Sequence, residues 1–132
     1  MIKILILAGC LFLLSCETFN SEPEERINHI VFCWLKEPGN KVQRAQLIET
    51  SLKFREIPGV LEVRTGEVVK SDRAIVDSTY DVAVFLSFNN TDDLQKYLDH
   101  EDHVAAVKTI LRPLTQKVLV YDFREKFKPY RD

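Results

Sequence analysis

The chain has 132 residues, with 18 basic and 20 acidic side chains and a net charge of −2 when histidine is neutral. That balance leaves no basic stripe suited to a nucleic-acid backbone, and the length allows one small domain around one core. Three cysteines and three histidines are present, so proton exchange near neutral pH has few places to occur.

The first residues read as an address. Met1-Ile2-Lys3 is a short positive start, Ile4 to Leu14 is almost wholly apolar, and Ser15-Cys16 follows. The apolar run is shorter than the roughly 20 residues of a spanning helix and has the proportions of a signal-peptide core. Its ending, Leu13-Leu14-Ser15-Cys16, resembles the lipobox of bacterial lipoproteins. The resemblance implies cleavage before Cys16 and a diacylglycerol on its thiol. Residues 1–15 are then a signal peptide, and 16–26 a lipidated cysteine with a mostly polar tether that contains Pro23. Glu17 is not the aspartate that resembles an inner-membrane retention signal, which favours the outer membrane, with the domain in the periplasm or at the cell surface. A secretory signal cut elsewhere, or a retained helix, is the alternative. Cleavage removes Cys10 and Lys3, leaving 17 basic and 20 acidic residues, a net of −3. Cys33 is then the one thiol remaining, so no internal disulfide can form, and it sits in a strand-like run suited to a buried, inert thiol. Acyl chains on Cys16 anchor the protein without any membrane-binding surface of its own.

Residues 27–123 carry the domain, and 124–132 a charged tail of mixed sign. Ile27 to Leu35 is rich in Ile, Val, Phe and Trp and predicts a strand. Pro38-Gly39-Asn40 breaks it. Lys41 to Arg55 predicts a helix, with Val42, Ala45, Ile48 and Leu52 at helical spacing. Ile57-Pro58-Gly59-Val60 is a turn, Leu61 to Val69 a second strand, and Lys70 to Thr79 a polar loop in which Arg73 and Asp77 are expected to be solvated. Tyr80 to Phe88 is a third strand. Asn90 or Thr91 caps the next helix, with Asp92 and Asp93 in its first turn. Asp99 is placed to cap a renewed helix that runs to Leu111 and ends before Pro113. Lys117 to Phe123 is the fourth strand. The order βαββαβ is the α+β, ferredoxin-like pattern: a four-stranded antiparallel sheet with helices on one face.

Strand parity adds a second expectation. His29, Val31, Cys33 and Leu35 share one face of the first strand, and Ile30, Phe32 and Trp34 the other. The third strand is likewise apolar on both sides. Two helices cover one face only, and an open face bearing Phe32, Trp34 and Phe85 is a larger apolar patch than monomers usually expose. A second copy of the chain, as a homodimer, is the simplest cover.

Tyr97-Leu98-Asp99-His100-Glu101-Asp102-His103-Val104 gathers two of the three histidines and a tyrosine within two helical turns. His103 lies on one helical stripe with Val107 and Ile110, so it faces the core side. If the His29 face of the first strand is the helix-covered one, His29 and His103 meet in a mostly apolar cavity, the usual form of a small-molecule site. There His103 can act as a general base, Tyr97 can hold a carbonyl or enolate oxygen, and His29 or Asp122 can orient the histidine. The alternatives are a hydrogen-bonded core histidine, a tyrosine that only packs, and an Asp122 paired with Arg124 or Arg112. His100 and His103, with His29, make only a weak metal set, since no cysteine or carboxylate cluster completes it. No metal or other cofactor is called for.

The chain is similar to the stress-responsive A/B barrel (Dabb) domains, a dimeric α+β barrel family. Five segments carry the resemblance in order: Asn28-His29-Ile30-Val31-Phe32, Ile57-Pro58-Gly59-Val60, Tyr80-Asp81-Val82-Ala83, Tyr97-x-x-His100-x-x-His103-Val104, and Val120-Tyr121-Asp122-Phe123. Glu101 stands where the family commonly has proline. The resemblance implies a pocket between sheet and helices. A plant polyketide cyclase of the family works there without cofactor, and its tyrosine–histidine pair resembles Tyr97 and His103. The family's first-strand histidine matches His29, whereas Val82 stands near a pocket histidine of that cyclase. Candidate ligand contacts are therefore His29, Val82, Tyr97, His100 and His103, with His103, Tyr97 and His29 as candidate catalytic residues. Three functions stay open: a binding module for a small apolar or aromatic molecule, a cofactor-free cyclase- or isomerase-like enzyme, and a structural or interaction lipoprotein whose pocket is filled by its own side chains.

Overall fold

The apolar run Ile27–Leu35 forms strand β1 at the centre of the sheet. Its neighbours are β3 (Val82–Phe88) and β4 (Thr115–Arg124), with β2 (Val60–Glu67) beyond β3. The order β2-β3-β1-β4, all antiparallel, is the ferredoxin-like arrangement expected from the element order. The computed structural model describes residues 25–126. The signal segment, Cys16 and most of the C-terminal tail lie outside them. Among the described residues no helix is long and apolar enough to cross a membrane.

Helix α1 (Lys41–Leu52) starts at Asn40, whose side chain accepts from the backbone N–H groups of Val42 and Gln43. It tightens into a 3₁₀ turn, Lys53–Glu56, before the expected turn at Ile57-Pro58-Gly59. Gly59 has φ +90°, which favours glycine, and a Cβ there would stand tightly at 3.2 Å from Cβ of Asp93. Helix α2 (Thr91–Asp99) is capped by Asn90, which accepts from the N–H of Asp93. The cap of the next helix falls at His100 rather than Asp99: His100 has extended backbone and its ring accepts from the N–H of Asp102, opening α3 (Glu101–Ala106). The break therefore occurs without proline at position 101.

The helix also runs past the expected stop. A π turn, Val107–Leu111, leads into a last helical turn, α4 (Arg112–Leu114), with Pro113 inside it. Proline has no N–H for the carbonyl four residues back, at Thr109, and its ring crowds that carbonyl. Widening the preceding turn relieves both conflicts.

The helices cover the face bearing Ile27, His29, Val31, Cys33 and Leu35. Cys33, Leu35, Val82, Leu86 and Phe88 form the tightest part of the core. Helix α1 meets this core through Leu47, Ser51 and partly Ile48, while Val42 is 77% exposed. The inward stripe is thus rotated from the expected Val42–Ala45–Ile48–Leu52 line. Asp81, from the Tyr80-Asp81-Val82-Ala83 segment, is buried and accepts from the N–H groups of Leu35 (2.9 Å) and Gly39 (2.7 Å), closing the end of β1.

The opposite face lies open in the single chain. Phe32 and Tyr80 meet edge-on at 4.9 Å, Trp34 donates to the Thr79 hydroxyl at 2.8 Å, and the Lys117 ammonium sits 4.1 Å above the Trp34 ring.

Candidate functional site

Between the helices and the covered face lies a small, partly open cavity, about 60 Å³ as the space open to the centre of a water-sized sphere. Strands β1 and β3 supply its floor through His29, Val31, Cys33, Val84 and Leu86. Leu47, Thr50, Ser51 and Phe54 form one wall, and Tyr97, His103 and the π turn the other. Ala106 of α3 and Val107, Ile110 and Leu111 of the π turn all reach the cavity, continuing the stripe that starts at His103.

Three candidate residues converge here. His29 is 5% exposed and Tyr97 is 2% exposed, and their rings stand 6.0 Å apart. Tyr97 and His103 are closer, at 4.4 Å, and Phe54 touches both rings. The ring nitrogens are organised from outside the cavity. His29 Nδ1–H donates to Asp122 Oδ1 at 2.6 Å across the β1–β4 ladder, where the two residues are direct partners. His103 Nδ1–H donates to the Leu98 carbonyl at 3.0 Å. His103 is therefore held by backbone, not by His29 or Asp122, and Asp122 pairs with His29 rather than with an arginine. Each bond places a proton on Nδ1 and leaves Nε2 turned to other partners.

Burial lowers the pKa of His103. The bond to Leu98 acts the other way, and the neighbouring His29 adds a further lowering. His103 is thus a neutral base at physiological pH. Burial raises the pKa of Tyr97, keeping its hydroxyl protonated. That hydroxyl makes no hydrogen bond to any of the described residues. Burial also pushes the Cys33 thiol up to about 12, so it lines the cavity as an inert thiol.

The other candidates fall elsewhere. His100 is the α3 cap, 3.7 Å from Asp102, and does not line the cavity. Val82 is fully buried in the core beneath it. Among the described residues no three His, Cys, Asp or Glu side chains converge on a metal site. Asp77 accepts from Thr79 in the exposed loop, away from the cavity. The wall formed by Leu47, Thr50, Ser51 and Phe54 was not anticipated. Their spacing, 47–51–54, is a helical stripe, but Ser51 interrupts it and the more apolar 45–48–52 line competes.

A four-stranded antiparallel sheet in the order β2-β3-β1-β4 with helices on one face defines a ferredoxin-like α+β class of protein. The stress responsive A/B barrel domain model matches residues 27–125, and the chain belongs to that family. A comparison with curated proteins finds no match. Among solved structures, the chain resembles a dimeric ferredoxin-like protein of unknown function from Thermobifida fusca. The two share 25% identity over 76% of this chain and 92% of that one, with a TM-score of 0.61. A Dabb family protein from Mesorhizobium loti shares 24% identity over 75% and 95%, TM-score 0.62. A hydroxynitrile lyase from Passiflora edulis shares 22% identity over 80% and 98%, TM-score 0.67; at that identity the likeness concerns the fold.

Proposed function

We propose that this chain is a lipid-anchored, homodimeric envelope protein that binds a small apolar or aromatic molecule between sheet and helices. The observation that carries the reading is the cavity itself. It is lined mainly by apolar groups, and its few polar groups are Thr50, Ser51, whose hydroxyl is spent on the Leu47 carbonyl, Tyr97, which makes no hydrogen bond within the described residues, and two imidazoles whose Nδ1 atoms are already used. Such a lining suits a ligand with an apolar body and one polar edge. A core closed by its own side chains, as a purely structural lipoprotein requires, would leave no such space. Native mass spectrometry of protein purified from its host tests this: a retained small molecule lost in His103→Ala supports the reading, and a cavity that stays empty and indifferent to that change refutes it.

A second reading, a cofactor-free acid–base enzyme, has one specific support. His103 is a neutral base 4.4 Å, ring to ring, from the protonated Tyr97. It can take a proton while Tyr97 holds the developing oxyanion. A loss in rate much larger than the loss in affinity for Tyr97→Phe selects this reading over binding alone.

The homodimer rests on the open aromatic face and on solved relatives described as dimeric. Trp34→Glu places a charge in the seam and dissociates the dimer in sedimentation; unchanged association refutes it. The anchor rests on Leu13-Leu14-Ser15-Cys16. Cys16→Ser releases the protein from membranes or blocks its processing, and parental fractionation refutes lipidation.

A further inference from the structure

The open sheet face is not uniformly apolar. Pairing across the sheet sets Glu62, Ser87, Asn28 and Phe123 in one row, and Arg64, Phe85, Ile30 and Tyr121 in the next. At the end of the first row the surface forms a broad hollow, with Arg26 and Glu125 at its rim. Arg64 grips Glu62 through two nitrogens, at 2.6 and 2.8 Å, and lies 5.0 Å over the Phe85 ring. Asn28 donates to Glu125 at 3.2 Å.

Two atoms in this hollow lack partners. Asn28 Oδ1 and Ser87 Oγ are buried without a hydrogen bond, on side chains only 3% and 2% exposed. Both atoms are sealed within the chain, out of reach of anything that docks on its surface. Arg64 and Glu62 stay at the surface, their side chains 69% and 41% exposed, so whatever covers this end must bring polar groups, which excludes an acyl chain or an apolar protein face. It must also face two cations and two anions at once. A two-fold interface sets the same patch against itself, and a patch carrying both signs lets each cation meet an anion of the other copy. The hollow is continuous with the aromatic surface of Phe32 and Trp34.

Resting on the homodimer reading above, we propose that the Arg26–Glu62–Arg64–Glu125 cluster is the partner-selecting part of the seam. It meets its own copy, with the cations of one protomer against the anions of the other. The aromatic surface supplies contact area, and this polar end fixes register and rejects other Dabb-like faces.

Charge exchange tests it on the full-length chain in detergent, by sedimentation. One chain carries Arg26→Glu with Arg64→Glu, the other Glu62→Arg with Glu125→Arg. Each alone weakens self-association on the order of a hundredfold, because like charges then face each other across the two-fold axis. Mixed in equal amounts, the two recover the parental dimer as a heterodimer. If the parent is a monomer, the homodimer reading falls and this inference with it. If the parent is dimeric but the reversed chains self-associate as it does, or the mixture recovers nothing, the inference alone is overturned and the cluster serves solvent or another occupant. Should a reversed chain lose its folded far-UV spectrum, Arg64→Gln decides. That side chain is 69% exposed in the single chain, so removing its charge leaves folding intact. A dimer weakened about tenfold upholds the inference, and an unchanged one overturns it.

Discussion

Tyr97→Phe removes one oxygen and leaves the packing alone. The ring meets His29, Phe54, Phe88 and His103 at centroid separations between 4.4 and 6.0 Å, and phenylalanine keeps all four contacts. The hydroxyl has no partner among the described residues. A net hydrogen bond contributes about 0.5–1.5 kcal/mol, and here none is lost. The expected change is therefore within about 0.5 kcal/mol, as for substitutions that break no buried feature. Tyr97→Ala removes the ring itself and costs about 3–5 kcal/mol, with a further part from the edge-on pairs. For a domain of this size each kcal/mol moves Tm by roughly 4–8 °C, so the phenylalanine variant stays within a few degrees while the alanine variant falls by about 15 °C or more. Urea and thermal unfolding followed by circular dichroism at pH 7 measure both. A loss above about 1 kcal/mol for Tyr97→Phe would mean the hydroxyl is bonded within the fold, and the argument that it is kept for a ligand fails.

Two further outcomes follow from burial. The folded pKa of His103 lies below its usual value of 6.5, so the unfolded chain binds its proton first. Stability present above pH 6.5 is then lost as pH falls from there toward the folded pKa. NMR titration places the His103 midpoint below 6.5, and His103→Gln flattens that part of the stability profile; a midpoint above 6.5 refutes the desolvation argument. Cys33, 1% exposed with its thiol pushed up to about 12, reacts with a water-soluble disulfide reagent only as fast as the domain opens. Rapid labelling of the native protein contradicts its place in the core.

The βαββαβ order and the parity of β1 were legible in the chain because period-2 alternation and turn residues report local geometry directly. Parity placed His29 on the helix-covered face, and the His103–Val107–Ile110 stripe carried through to the cavity. Helix phase at α1 was harder to read. Its solvent side carries Val42 and Ala45, so hydrophobicity alone points to the wrong stripe, and Phe54 lies in a 3₁₀ turn where the 3.6-residue period no longer applies. The π turn was similarly hidden: Pro113 reads as a stop signal, yet neighbouring packing carries the helix through it. Asp122 could be named as a candidate, but its choice of His29 over Arg124 or Arg112 depends on the β1–β4 register, which no local pattern encodes.

The bond between His29 and Asp122 ties the site to an edge. Strand β4 has one neighbour, its inner-face residues Val118 and Val120 are 38% and 44% exposed, and the Asp122 side chain is half in water. Such a strand opens more readily than the central ladder. Each opening of its end removes the carboxylate from His29 and frees the ring to change tautomer. The polarity of the pocket floor is thus governed by how firmly this edge ladder is closed, and a molecule that needs His29 in its present tautomer must hold β4 shut. Occupancy would then be written in the amide hydrogen-exchange rates of residues that never touch the ligand.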